Sequence, residues 1–258
     1  MLLLLAGLAW SEPVHVDLRQ DEGERVLNGI LGDDASFWKD SWEKSFEDKV
    51  YDLMRLKSLE TGYVPMISGE GLEDFAHEVV VETVYERNVW LPRHTSGTKI
   101  VLPLGSGYDS SVGAEYRDSF YVLDLTVFYA TFPQRMYKRH DPETNTTVLW
   151  FEKLKPEWVG DRWSAYEASM KNATDTMETR WLGSSIVQVD DVYGMFVVSP
   201  GKRRRSRVSF VSKLSFGDDA GWIARMGSQM PGVLRSGLKS GFQASVAIAS
   251  EIQKTRSL

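Results

Sequence analysis

Apolar residues recur at three- and four-residue steps in two long stretches of the chain, one toward each end, and gather in short alternating runs between them. In "SFWKDSWEKSFEDKVYDLMRLKSLE", Phe37, Trp38, Trp42, Phe46, Val50, Leu53 and Met54 are separated by charges, which predicts an amphipathic helix from Ser36 to Glu60 with Gly62 after its end. A second helix is predicted from Leu72 through "EDFAHEVVVETVYERNVWLP", although the β-branched run Val79 to Val81 also suits a strand. Beyond Pro92 the runs "TKIVLPL", "DSFYVLDLTVFYATFP", "QRMYKRH" and "TTVLWFEKL" read as strands of an antiparallel sheet, with "DPETNTT" as a turn. A helical insert follows Pro156, where Trp163, Tyr166, Met170 and Met177 fall near helical spacing. Two further strands, "DVYGMFVVSP" and "RSRVSFVSKLSFG", are joined by the basic turn "GKRRR" and lead into the closing helix.

That helix, "MPGVLRSGLKSGFQASVAIAS" from Met230 to Ser250, carries glycines that a helix ordinarily avoids. Each interior glycine costs about 0.5–1 kcal/mol against alanine, so Gly232, Gly237 and Gly241 call for a compensating contact. On a helical wheel Gly237, Gly241, Ser245 and Ala249 form a row of small residues beside Leu234, Leu238, Phe242 and Val246. Such a surface lets either a strand backbone or a bound molecule approach the helix axis closely. A sheet followed by a long helix must bury the helix's apolar face on the sheet, giving an α+β layer arrangement.

Composition narrows the picture. The 258 residues are 42% hydrophobic and 12% aromatic, enough for a packed core, and no repeat or linker divides them, so one domain with an N-terminal helical extension is expected over residues 12–258. A net charge of −6 argues against nucleic acid as a partner. There is no cysteine, hence no disulfide, thiolate nucleophile or cysteine metal site. The run from Leu2 to Ala9 is too short to span a bilayer and resembles the core of a secretory signal, so residues 1–11 are a candidate signal segment, though no basic residue follows Met1. Export to a periplasm or to the outside follows if it is one, and a cytoplasmic location otherwise. A mis-assigned start codon or an N-terminal strand would produce the same run.

Catalytic chemistry has little support. His15, His77, His94 and His140 share no short spacing, and the best metal-like cluster, Asp74, His77, Glu78 and Glu82, reads more simply as a solvated acidic face. No Walker loop, dinucleotide fingerprint or Gly-x-Ser-x-Gly elbow occurs, and the Ser-x-x-Lys motifs at Ser36, Ser41 and Ser236 lack companion motifs. No cofactor or metal is expected. The densest charge feature, Lys202, Arg203, Arg204 and Arg205, is a hairpin tip that is either a solvated turn or a contact for anionic lipid head groups, worth about 1 kcal/mol per basic residue at a charged membrane.

The order of landmarks from Tyr193-Gly194 through Pro200, Arg207 to Phe216, and Asp218, Asp219, Gly221 and Ile223 into the closing helix resembles the START lipid-transfer family of the helix-grip superfamily. Pro133 and Arg135 in "FPQRMY" add a weaker match, while Met136, Ala224 and the insert after Pro156 depart from the family pattern. The resemblance implies a curved antiparallel sheet wrapped around the C-terminal helix, with a hydrophobic tunnel between them. It also implies non-catalytic binding or transport of a sterol, phospholipid or other lipid, with a polyketide cyclase/aromatase-like enzyme, or an interaction protein with a filled core, as alternatives. Cavity residues expected on this basis are Arg135, Met226, Met230, Leu234, Gly237, Leu238, Gly241 and Phe242. Arg135 would fix the ligand's orientation or, equally, form an ion pair at a strand end.

Overall fold

The apolar runs between Thr98 and Lys153 form the longest strands of the computed structural model, which describes residues 66–68, 71–125, 128–142, 145–175, 177, 186–201, 205–217 and 231–256. The helix expected over Ser36 to Glu60 and the candidate signal segment lie outside the described residues. Strand β1 (Met66–Ser68) is followed by β2 (Thr98–Asp109), β3 (Ala114–Asp124), β4 (Tyr129–Asp141), β5 (Thr146–Lys153), β6 (Ile186–Gln188), β7 (Asp191–Pro200) and β8 (Ser206–Ser215). They build one 8-stranded sheet in the order β1-β8-β7-β5-β4-β3-β2, with β6 added alongside β4. All pairings are antiparallel except β4 with β6.

Local chemistry explains the hairpins. Between β2 and β3 the Asp109 carboxylate accepts from the backbone N–H and the hydroxyl of Ser111, at 3.0 and 2.6 Å, and Gly113 takes the left-handed conformation that closes the turn. Asn145, also at positive φ, serves the β4–β5 turn that "DPETNTT" announces. One expectation needs correction. The sequence suggests a break between Pro133 and Gln134, whereas β4 runs straight through both and the chain turns earlier, after Leu125. Pro133 has no N–H to donate, but the edge of β4 it faces is a gap, with β6 paired to Tyr129–Thr131 and β5 beginning at Gln134. Its carbonyl still accepts there from the Leu154 N–H at 3.0 Å.

The stretch from Leu72 is helical, as its spacing predicts, but broken. Helix α1 (His77–Val81) widens into a π turn over Glu82–Glu86, passes through a 3-10 turn at Asn88–Trp90 and resumes as α2 (Leu91–His94), where Pro92 fits the first turn. The insert forms α3 (Pro156–Val159) and α4 (Trp163–Asp175). The last element, α5 (Pro231–Arg256), is the long C-terminal helix.

The main core lies between the sheet and α5. It joins Tyr121, Phe132, Met136, Leu149, Phe151, Val198, Val208 and Phe210 of the strands to Phe242, Ile248, Ala249 and Ile252 of α5, and to Leu72, Val80 and Tyr85 of the first helical stretch. Residues of opposite parity, Phe120, Val122 and Tyr129, face the other side and pack with Met170, Ala173 and Met177 of the insert and its exit. The molecule is therefore layered as a helix, a curved antiparallel sheet and a small helical cover.

Candidate functional site

Period-two alternation divides the strands into a face toward α5 and an opposite face, which α4 covers over β2 to β4. In β4, Ala130, Phe132, Gln134 and Met136 look toward α5, while Tyr129, Arg135 and Tyr137 look away from it. The face toward α5 is dominated by phenylalanines. Phe196 and Phe210 are 4.3 Å apart at their ring centres, and Phe242 of α5 closes on them at 6.4 and 5.8 Å. Phe151 lies beside Phe210 at 6.2 Å, and Gly194 makes this packing feasible, because a Cβ on it would occupy the position of the Phe151 ring. Tyr121 stacks on Phe132 at 5.4 Å, and its hydroxyl accepts from the Asn88 side-chain amide at 2.8 Å. Burial holds that phenol well above its ordinary pKa of 10.0 and keeps it neutral, outweighing the opposing bond from Asn88.

Two polar side chains interrupt this surface. Ser119 of β3 and Gln134 of β4 are direct register partners, exposed by 6% and 5%. They sit between the Arg117–Met136 and Tyr121–Phe132 pairs.

The expected cavity residues separate into groups. Phe242 is buried at the centre of the aromatic cluster. Gly241 is half-buried, and no atom lies within 4 Å of the place a Cβ would take, so of the two approaches the sequence left open, a strand backbone is not in close contact with it. Leu234, Gly237 and Leu238 belong to α5, but only their backbone is described, and Met226 and Met230 lie outside the described residues.

Arg135 is on the opposite face of the sheet. Its guanidinium donates through Nε and Nη2 to the two carboxylate oxygens of Asp118, at 2.7 and 2.9 Å, with both side chains buried. The Tyr116 ring lies 3.9 Å from Cζ and Trp158 of α3 lies at 5.6 Å, while the Tyr166 hydroxyl of α4 donates to Asp118 Oδ2 at 3.3 Å. Burial opposes the charge on Arg135, yet its Asp118 partner raises the pKa above the ordinary arginine value. Strand parity is the reason for the correction: in β4 the arginine is out of phase with Phe132 and Met136, so it anchors the insert and does not face α5.

Of the basic hairpin tip, Lys202, Arg203 and Arg204 lie outside the described residues, and exposed Arg205 pairs with Asp74 at 3.2 Å. The acidic cluster suggested around His77 is dispersed among partners, since Glu82 accepts from Arg87 and Arg256 at 3.0 and 2.7 Å. Among the described residues no three metal-donor side chains converge. The fold instead brings His77 to 5.7 Å from His140, a proximity hidden by their separation in sequence.

No family model matches the chain, and no curated protein matches its sequence. Solved structures do. The chain is similar to human STARD10 at 10% identity and a TM-score of 0.51, covering 87% of this chain and 84% of that one. It is also similar to the Zhui aromatase/cyclase of a Streptomyces species, at 15% identity and a TM-score of 0.45 over 73% and 92% of the two chains. A STAR-related lipid transfer protein from Xanthomonas axonopodis matches at 13% identity and a TM-score of 0.40, over 70% and 85%. The fold is START-like, of the helix-grip kind, and the likeness spans most of the chain and not only the last quarter, where the sequence carries its landmarks.

Proposed function

We propose that the chain binds one apolar small molecule, a sterol, phospholipid or other lipid, between the sheet and α5, and carries it without covalent chemistry. The observation that supports this reading most is the aromatic face of the sheet closed by a long helix, with open space beside half-buried Gly241, where the sequence admitted either a strand backbone or a bound molecule. Burying apolar ligand surface there yields about 25 cal/mol per Å². The START-like architecture, shared with human STARD10, is in keeping with a carrier. A cyclase would need an acid–base group free to meet its substrate. On this face the Tyr121 phenol is already bonded to Asn88 and is held neutral by burial.

The test is direct. Protein purified from cells is extracted with organic solvent, and the extract is searched by mass spectrometry for a stoichiometric lipid. A single lipid class at about one per chain is expected. A clean extract, together with no binding of fluorescent sterol or acyl probes, overturns the carrier reading.

A further inference from the structure

Ser119 and Gln134 are the most informative residues that the packing does not account for. Both are more than nine-tenths buried, face each other across the β3–β4 register and look toward α5. Neither side chain forms a hydrogen bond among the described residues. Their polar atoms are also unlike those of His77 Nε2, Trp150 Nε1 and Ser199 Oγ, which are sealed from all contact without a partner. The ends of Ser119 and Gln134 thus remain approachable inside an otherwise apolar wall. Buried polar groups are almost always matched, so an approachable unmatched pair points to a partner supplied from outside the chain.

We propose that Ser119 and Gln134 are the polar anchor of the bound molecule, and that the cargo ends in one uncharged hydrogen-bonding group, a hydroxyl, carbonyl or amide, on a large apolar body. The inference rests on the carrier reading and narrows its ligand class. A glutamine amide offers two N–H donors and a carbonyl acceptor, and a serine hydroxyl offers one of each kind, so the pair can both donate to and accept from a neutral head. A hydrocarbon would leave both groups unmatched. An ionised head would need a free countercharge, and the neighbouring cations are engaged. The Lys153 ammonium, next in register to Gln134, donates to the Asp190 carbonyl at 2.7 Å. Arg117 lies over the Tyr85 ring at 5.0 Å, and Lys138 pairs with Glu115 at 2.8 Å.

The experiment uses three matched fluorescent probes, 10-(1-pyrene)decanol, 1-decylpyrene and 10-(1-pyrene)decanoic acid, titrated at neutral pH into the delipidated full-length protein. The alcohol is expected to bind at least about fivefold more tightly than the hydrocarbon and the acid. The paired variant Ser119→Ala/Gln134→Leu is expected to bind alcohol and hydrocarbon equally. The Tm of ligand-free Gln134→Leu checks the structural alternative. An anchor that waits for a ligand predicts no loss of Tm, whereas a glutamine holding the fold together predicts a fall and an alcohol preference that survives in the folded variant. That second result overturns the anchor, as does preference for the acid, or equal binding of alcohol and hydrocarbon by the wild type; each leaves the carrier reading standing. Failure of folded wild-type protein to bind any of the three, with no lipid in the extract, removes the carrier reading and the anchor with it.

Discussion

Asp118 and Arg135 show how much depends on a single residue's face. The pair is fully covered and doubly hydrogen-bonded, and removing one partner leaves an uncompensated charge under α3 and α4. Asp118→Ala is expected to lower stability by about 3–5 kcal/mol in urea titration, and the apolar double replacement Asp118→Leu/Arg135→Met by less than either single change. His77 carries a different prediction. Its pKa is depressed below the ordinary 6.5, first by burial and second by the nearby charge of His140, against smaller opposing effects from Glu78 and the Val198 backbone. A histidine with a lowered folded pKa contributes stability that is complete above about pH 6.5 and is lost as the pH falls toward the folded pKa, because the unfolded chain takes up the proton first. The Tm should therefore fall as the pH drops below about 6.5, and the His77→Gln variant should show a flatter profile over the same range.

At the level of elements, the helical cover packs on the sheet through Met170 and Ala173 and is fixed to it by a tyrosine that fits over a glycine. The Tyr166 hydroxyl bonds Asp118, and a Cβ on Gly105 would occupy that hydroxyl's place. Gly105→Ala must push Tyr166 away, break its bond to Asp118 and loosen α4 over Phe120 and Val122. Protease cleavage within residues 156–175 is expected to quicken, with a loss of about 1–3 kcal/mol. Tyr166→Phe keeps the ring and is expected to cost only about 1 kcal/mol, the net worth of the hydrogen bond. If the two variants were cleaved at the same rate, the close fit at Gly105 would not be what holds the cover. Helix α5 is anchored at its other end by Arg256 on Glu82 and, near its middle, by the hydrogen bond between Thr95 and Ser240 at 2.5 Å. The helix that closes the site is thus tied to the first helical stretch as well as to the sheet.

For the whole molecule, a carrier whose interior is completed by cargo should be less stable without it. A ligand that binds only the folded state at about one hundred times its Kd adds about 2.7 kcal/mol, so delipidated protein should melt below protein as purified and recover when the extracted lipid is returned. Identical melting curves before and after delipidation would mean that the interior is complete without cargo, the arrangement expected of an interaction protein with a filled core.

The α+β order, the stretches that become β2 to β5, β7 and β8, the insert and the closing helix were legible in the sequence, because hydrophobic patterns are local properties of the chain, whereas the three-residue strands β1 and β6 are too short to carry one and were not read. The turn at Asn145, within "DPETNTT", was legible for the same reason. The continuous β4 through Pro133 was not, because tolerance of a missing N–H depends on which strand lies alongside, and that is set by β5 and β6 far along the chain. Arg135 illustrates the same limit at the site. Its sequence context admitted both an orienting group and an ion pair, and only the parity of β4 against Asp118, Tyr166 and Phe132 decided between them. Ser119 and Gln134 look unremarkable in "DSFYVLD" and "FPQRMY", since nothing local distinguishes a polar residue facing water from one facing the inside of the molecule. Residue order specified which segments become strands and helices; burial, register and the open space beside Gly241 arise only when those segments pack together.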